Sequence, residues 1–135
     1  MIVLDSSFLI AYHNTSDVHH PEAARIMAQL AGGRWGRPLL LEYVFLETVT
    51  VLLLRHDREK AVQVARQLLA AGDADFVPCS DLFVKTVETF CAQESGRLSF
   101  VDCAIITAAR EREAGHLATF DRDLEGREDL DVVHA

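Results

Sequence analysis

Asp5, Glu47, Asp102 and Asp121 stand where apolar neighbours make a charge costly. Asp5 follows Ile2-Val3-Leu4, Glu47 lies inside Val44 to Leu54, Asp102 sits within Phe100 to Ile106, and Asp121 follows Leu117-Ala118-Thr119-Phe120. An ionised carboxylate in low-dielectric surroundings must shift its pKa or gain a compensating cation. Acids of this kind on separate segments point to one shared counter-charge, and a bound metal ion supplies it most simply. Carboxylate oxygens are the donors that hard Mg2+ or Mn2+ prefers, and Mg2+ keeps waters that substrate phosphate oxygens can replace.

Each acid also has a purely structural alternative. Asp5 could open an Asx-turn after a strand. Asp102 fits a capping box with Ser99 as N-cap. Asp121 could begin the short turn to Leu124, with Asp123 an exposed acid on it. Glu47, in mid-helix beside Leu46, Val49, Val51 and Leu54, caps nothing; its alternative is an ion pair with Arg55 or Arg110. The inference rests on the combination, because strand-end and helix acids can converge on one mouth of a sheet.

The elements that would position them alternate. Ile2-Val3-Leu4 reads as a buried strand running into a polar Asp5-Ser6-Ser7 turn. A helix is expected from Pro21 to the Gly32-Gly33 stop, then a strand at Leu39-Leu40-Leu41. Glu42 to Arg55 reads as a buried helix that is apolar on most faces. Asp57 suits the N-cap of a helix carrying Ala61, Val62, Ala65, Leu68 and Leu69. Phe76-Val77-Pro78 is a brief strand, and Phe83, Val87, Phe90 and Cys91 mark another helix. A further helix begins at Ser99 and runs to about Glu113, with Gly115 as its stop. His116 to Phe120 and Asp131-Val132-Val133 are the remaining strands. The alternation predicts an α/β domain with a mainly parallel sheet, whose ligands bind beyond the carboxyl ends of the strands.

Composition bounds the function. The chain has 135 residues, 50% hydrophobic, which suits one compact domain over 1–135. A formal net charge of −8 argues against a generic electropositive nucleic-acid surface. It leaves a nucleic-acid substrate open, since bound cations would cancel part of that charge and attract phosphate. Cys79, Cys91 and Cys103 form no Cys-x-x-Cys pair and read as reduced packing residues. No basic n-region precedes Asp5, and the apolar stretch from Leu39 to Leu54 falls short of a span, so a soluble cytoplasmic protein with no membrane association is expected. The histidines show no His-Glu-x-x-His spacing and read as surface or hydrogen-bonding residues. Trp35 reads as a packing residue, and the glycines form no phosphate loop.

Taken in order, Ile2-Val3-Leu4-Asp5-Ser6-Ser7, Val44-Phe45-Leu46-Glu47-Thr48, Leu98-Ser99-Phe100-Val101-Asp102-Cys103-Ala104 and Ala118-Thr119-Phe120-Asp121-Arg122-Asp123 form a signature that covers nearly the whole length. The chain resembles the PIN-domain ribonucleases, and within them the VapC-type toxins of bacterial and archaeal toxin–antitoxin modules. The resemblance implies a three-layer fold with a five-stranded, mainly parallel sheet flanked by helices. It matches Asp5, Glu47, Asp102 and Asp121 to the family's metal-binding catalytic acids, with Asp123 as an additional acid of some members. Ser6, Ser7 and Thr119 match the small polar positions beside them, and Glu42 is not taken as a ligand.

The reaction expected is Mg2+-dependent or Mn2+-dependent hydrolysis of an RNA phosphodiester, with one or two ions activating water and stabilising the leaving oxygen. Arg97, Arg110 and Arg122 are the candidate substrate contacts. The resemblance further implies a transfer or ribosomal RNA loop as substrate, a homodimer, and a cognate antitoxin partner. A housekeeping RNA-processing nuclease of the same family is the nearest alternative. A haloacid-dehalogenase-type phosphatase would need an Asp where Ser7 stands. A glycosidase using paired carboxylates would keep its activity in chelator. A non-catalytic metal-binding module would cleave nothing.

Overall fold

Three-residue and four-residue apolar runs without polar alternation suit strands covered on both faces. The computed structural model, which describes residues 1–70, 72–94, 96–127 and 130–135, makes such strands of Ile2–Leu4 (β1) and Pro38–Leu41 (β2), both wholly buried. Asp75–Val77 (β3), His116–Ala118 (β4) and Asp131–Val132 (β5) complete a sheet of order β3-β2-β1-β4-β5. Every pairing is parallel; Leu4 lies opposite Ala118, and Val3 opposite Leu39.

Parallel neighbours need helical crossovers, and their right-handedness decides which face each helix covers. The chain moves from β1 to β2 to β3 in one direction, through Ser6–His13 (α1), His20–Ala31 (α2), Glu42–Arg55 (α3) and Arg58–Ala70 (α4). It then returns past β1 to β4 through Phe83–Cys91 (α5) and Phe100–Arg112 (α6), which places that pair on the opposite face. The contacts follow suit. α1 packs on α2 and α3, α3 on α4, and α5 on α6, which also touches β1. The result is the five-stranded parallel, three-layer α/β arrangement expected. Its core gathers Ile2, Val3, Phe8, Leu9, Leu39, Leu41, Ile105 and Leu117.

Several expectations need correction. The Asp5-Ser6-Ser7 turn does not exist: α1 starts at Ser6, with Asp5 as its N-cap residue. Its neighbours Phe8, Leu9 and Ala11 are buried, so tertiary packing carries a helix that local signals did not announce. Nor is α3 buried on most faces. Only the stripe Val44, Thr48 and Leu52 is buried, while Leu46, Leu53 and Leu54 are exposed. Phe83 and Phe90 mark α5 as expected yet stay exposed; they gather at 5.8 and 6.0 Å around the ring of Phe100. α6 ends about where expected, but the left-handed cap is Glu113 (φ 53°) rather than the glycine expected as the stop, Gly115. Cys79 and Cys103 are buried and free, whereas Cys91 is free but exposed, so it is not a packing residue. Asp57 does cap α4, accepting the Lys60 amide at 2.7 Å. Trp35 packs against the core. Among the described residues, no helix is long and apolar enough to cross a membrane.

Candidate active site

The strand order changes direction at β1, between its pairings with β2 and β4, and a crevice opens there beyond the strand ends. Because Leu4 and Ala118 are in register, the residues that follow them are neighbours, and the Asp5 amide donates to the Ala118 carbonyl at 3.0 Å. The same register sets Thr119 beside Asp5. Thr119 Oγ1 donates to Asp5 Oδ2 at 2.7 Å, and Ser7 Oγ donates to the same oxygen at 2.6 Å. Each hydroxyl has one proton. With both spent on Asp5, the 3.1 Å approach of the two hydroxyl oxygens carries no hydrogen bond of its own. As acceptors they hold the β4 loop: Ser7 Oγ takes the Phe120 amide at 2.9 Å, and Thr119 Oγ1 takes the Asp121 amide at 3.0 Å.

Asp5, only 4% exposed, is thereby fixed through one oxygen, and neither hydroxyl proton goes to Oδ1. Asp121 accepts the Asp123 amide at 2.9 Å, so the turn expected after β4 is present together with the convergence.

Helix direction delivers the other acids. A helix that leads into a parallel strand runs antiparallel to it, so the N-terminus of α6 lies at the carboxyl edge of β4. Ser99 and Asp102 form the capping box there, with bonds of 3.1 and 2.9 Å, and Asp102 is 9% exposed. α1 and α3 also begin at this edge, directly after β1 and β2. The positive ends of these helix dipoles favour anions in the crevice. Glu47, further along α3, completes the set.

Asp5, Glu47, Asp102, Asp121 and Asp123 all line one cavity of about 510 Å³, together with Ser6, Ser7, Asp17, His19, Arg55, Arg97 and Phe120. Burial first, then the charges of Asp5, Asp102 and Asp121, push the Glu47 carboxyl above the usual range, while Ser6 pulls it back by hydrogen bonding. Burial likewise raises Asp102, against its hydrogen bonds from Ser99, with Asp5 and Asp121 adding repulsion. Arg55 lines the same cavity but is not among the charges that act on Glu47.

An all-carboxylate donor set under mutual repulsion fits a hard divalent cation. Among the described residues no three such side chains are already drawn onto one point; the acids face one cavity within electrostatic reach of each other.

Residues 2–129 match the PIN domain family. The chain belongs to that family. The VapC ribonuclease of Archaeoglobus fulgidus is 25% identical over 112 residues, which span 81% of this chain and 70% of that protein. Among solved structures, Mycobacterium tuberculosis VapC20, described as a sarcin-ricin loop cleaving toxin, superposes with TM-score 0.88 at 24% identity over 100% of both chains. VapBC2 from Rickettsia felis, bound to a DNA fragment from its promoter, gives 0.72 at 15% identity over 98% of each chain. FitAcB from Neisseria gonorrhoeae gives 0.62 at 16%, covering 98% of this chain and 96% of that one.

Of the arginines expected at this PIN site, only Arg97 lines the cavity. Arg110 borders a separate hollow with Gln93 and Arg127, and Arg122 lies on the exposed 3-10 turn after Asp121. Glu42 does not line the cavity, in keeping with its exclusion as a ligand. Arg55, Asp17 and His19 were missed as wall residues. Arg55 shares the α3 face of Glu47 and Val51 by its helical spacing, a signal present in the sequence. Asp17 and His19 lie between α1 and α2, where no periodicity marks a position.

Proposed function

We propose that this PIN domain protein is a metal-dependent ribonuclease, Mg2+ being the natural ion with Mn2+ as substitute, and the toxin of a toxin–antitoxin pair. The observation that carries this reading is the delivery of Asp5, Glu47, Asp102 and Asp121 from separate segments to one cavity at the β1/β4 strand ends. A divalent cation bound there would make water a stronger nucleophile at neutral pH and offset charge on the phosphate.

The chain's own residues divide the remaining work. Asp5 and Asp121 offer the shared carboxylates, Glu47 and Asp102 complete the cage, and exposed Asp123 joins from the rim. Ser7 and Thr119 fix the orientation of Asp5, and Ser6 lines the same cavity as Glu47. Arg97 and Arg55, on the same wall, take phosphates of the substrate strand.

The description of VapC20 supports a loop of structured RNA as the substrate class. The likeness in fold to a toxin–antitoxin complex from Klebsiella pneumoniae supports an antitoxin partner. Exposed Leu46, Phe83, Val84 and Phe90 supply apolar surface for a homodimer. A single domain acting in the cytoplasm completes the reading.

Purified protein incubated with structured RNA and Mg2+ or Mn2+ is expected to produce defined RNA ends, seen by end sequencing. Chelator should abolish them, and Asp5→Asn should lower cleavage about a hundredfold or more while the fold stays intact. A folded Asp5→Asn protein that cleaves at the native rate, or native cleavage indifferent to chelator, would refute the proposal.

A further inference from the structure

His19 precedes α2, next to the acids in space though not in sequence. Its imidazole stacks on the ring of Phe120 with centroids 4.4 Å apart and planes inclined by only 6°. Both rings line the acid cavity. Phe120 is partly buried and covers one face of the imidazole, while His19 is exposed, so the other face is open to solvent.

The pair is held at both ends. Asp17 Oδ1 accepts the His19 amide at 2.8 Å. The Phe120 amide donates to Ser7 Oγ at 2.9 Å, and that hydroxyl donates to Asp5 at 2.6 Å. The stacked rings therefore have a fixed relation to the carboxylate at the centre of the site. Phe120 also lies directly between Thr119 and Asp121 in the chain, one residue from a proposed ligand.

We infer that the open face of His19, backed by Phe120, is a stacking platform for one unpaired base of the RNA strand beside the phosphate to be cleaved. The inference rests on the ribonuclease reading and adds how the substrate is placed. Bases of single-stranded or looped RNA present flat π faces that stack on aromatic and histidine rings without regard to charge. That matters in a chain of net charge −8 whose cavity is walled by acids, where, among the described lining residues, Arg55 and Arg97 are the arginines that add to the helix N-termini and any bound cation in attracting a polyanion. A rigid aromatic contact adds affinity and register with no added positive charge. A base held by it cannot slide, so the neighbouring phosphate is presented to the acids in one position.

The test uses the full chain in an Asp102→Asn background, so that bound RNA is not consumed. Fluorescence anisotropy in Mn2+ would follow a labelled single-stranded oligoribonucleotide and an abasic oligomer of equal length. His19→Ala is expected to weaken binding of the base-bearing oligomer about tenfold, and His19→Phe to stay within about threefold of the parent. On the abasic oligomer the three proteins should bind alike. Unchanged affinity in His19→Ala, or an equal loss in His19→Phe, overturns the platform while leaving the ribonuclease reading standing. A parent protein that binds the base-bearing and abasic oligomers equally well overturns the platform as well.

Discussion

Asp5 accepts two hydroxyl protons on a single oxygen, and the donors are themselves acceptors for the loop that carries Asp121. Removing one hydroxyl therefore leaves two groups short. Thr119→Val, nearly isosteric, should destabilise the protein by about 1–3 kcal/mol, whereas Thr119→Ser should recover most of the loss; denaturant melts measure both. Equal stability of the two variants would show that the network contributes nothing.

Titration follows from the same crowding. Glu47 and Asp102 have folded pKa values above their ordinary ones, so over that window the native state keeps protons the unfolded chain has released. Stability from these groups falls as pH rises from the ordinary carboxylate range through the raised values. His13, pushed down to about 4 by burial and by Lys60, acts in the opposite sense, adding stability as pH rises from about 4 to its ordinary 6.5. The two slopes overlap, so the contrast between variants is the clean measurement. In chelator, Glu47→Gln should melt higher than the parent at neutral pH, and the difference should shrink as the pH is lowered. A constant difference across the range would contradict the electrostatic account.

At the level of elements, α3 separates what pattern can and cannot reveal. Its run of apolar residues resembles a helix buried all round, but the structure buries only the positions four apart. Leu52 is 0% exposed and Leu54 is 78% exposed. Leu52→Ala should cost about 2–5 kcal/mol in thermal or chemical unfolding, and Leu54→Ala should stay within about 0.5 kcal/mol. Similar losses at the two positions would place Leu54 in a buried interface. In α6 the capping box was legible in full, because Ser99 and Asp102 satisfy it within one turn. Ser99→Ala should cost about 1 kcal/mol in the same assay. α1 was hidden for the opposite reason: its opening Ser6-Ser7 looks like turn chemistry, and only the burial of Phe8 and Leu9 makes it a helix.

For the whole molecule, the acids meet because a parallel sheet sends all its carboxyl ends to one side and the strand order changes direction at β1. Concentrating like charge at one edge weakens the metal-free fold, and a cation that binds only the native state restores it. Mg2+ or Mn2+ at a hundred times its dissociation constant should add about 2.7 kcal/mol of stability, seen as a rise in melting temperature. Asp5→Asn should lose most of that rise. An unaltered response in the variant would mean that the ion binds elsewhere.

The order of strands and helices apart from α1, the cap of α6 and the suspicion attached to four costly acids were all present in the chain itself. These are local matters: apolar run length, the spacing of a hydroxyl and a carboxylate within one turn, and the price of a charge among apolar neighbours. Which arginines border the cavity, that Thr119 and Ser7 share one oxygen of Asp5, and that His19 lies flat on Phe120 were decided only by tertiary structure. Those relations join residues as far apart as Asp5 and Thr119, or His19 and Phe120, and depend on the β1/β4 register and on how the α1–α2 connection crosses the strand ends. No periodicity along the chain encodes such a meeting.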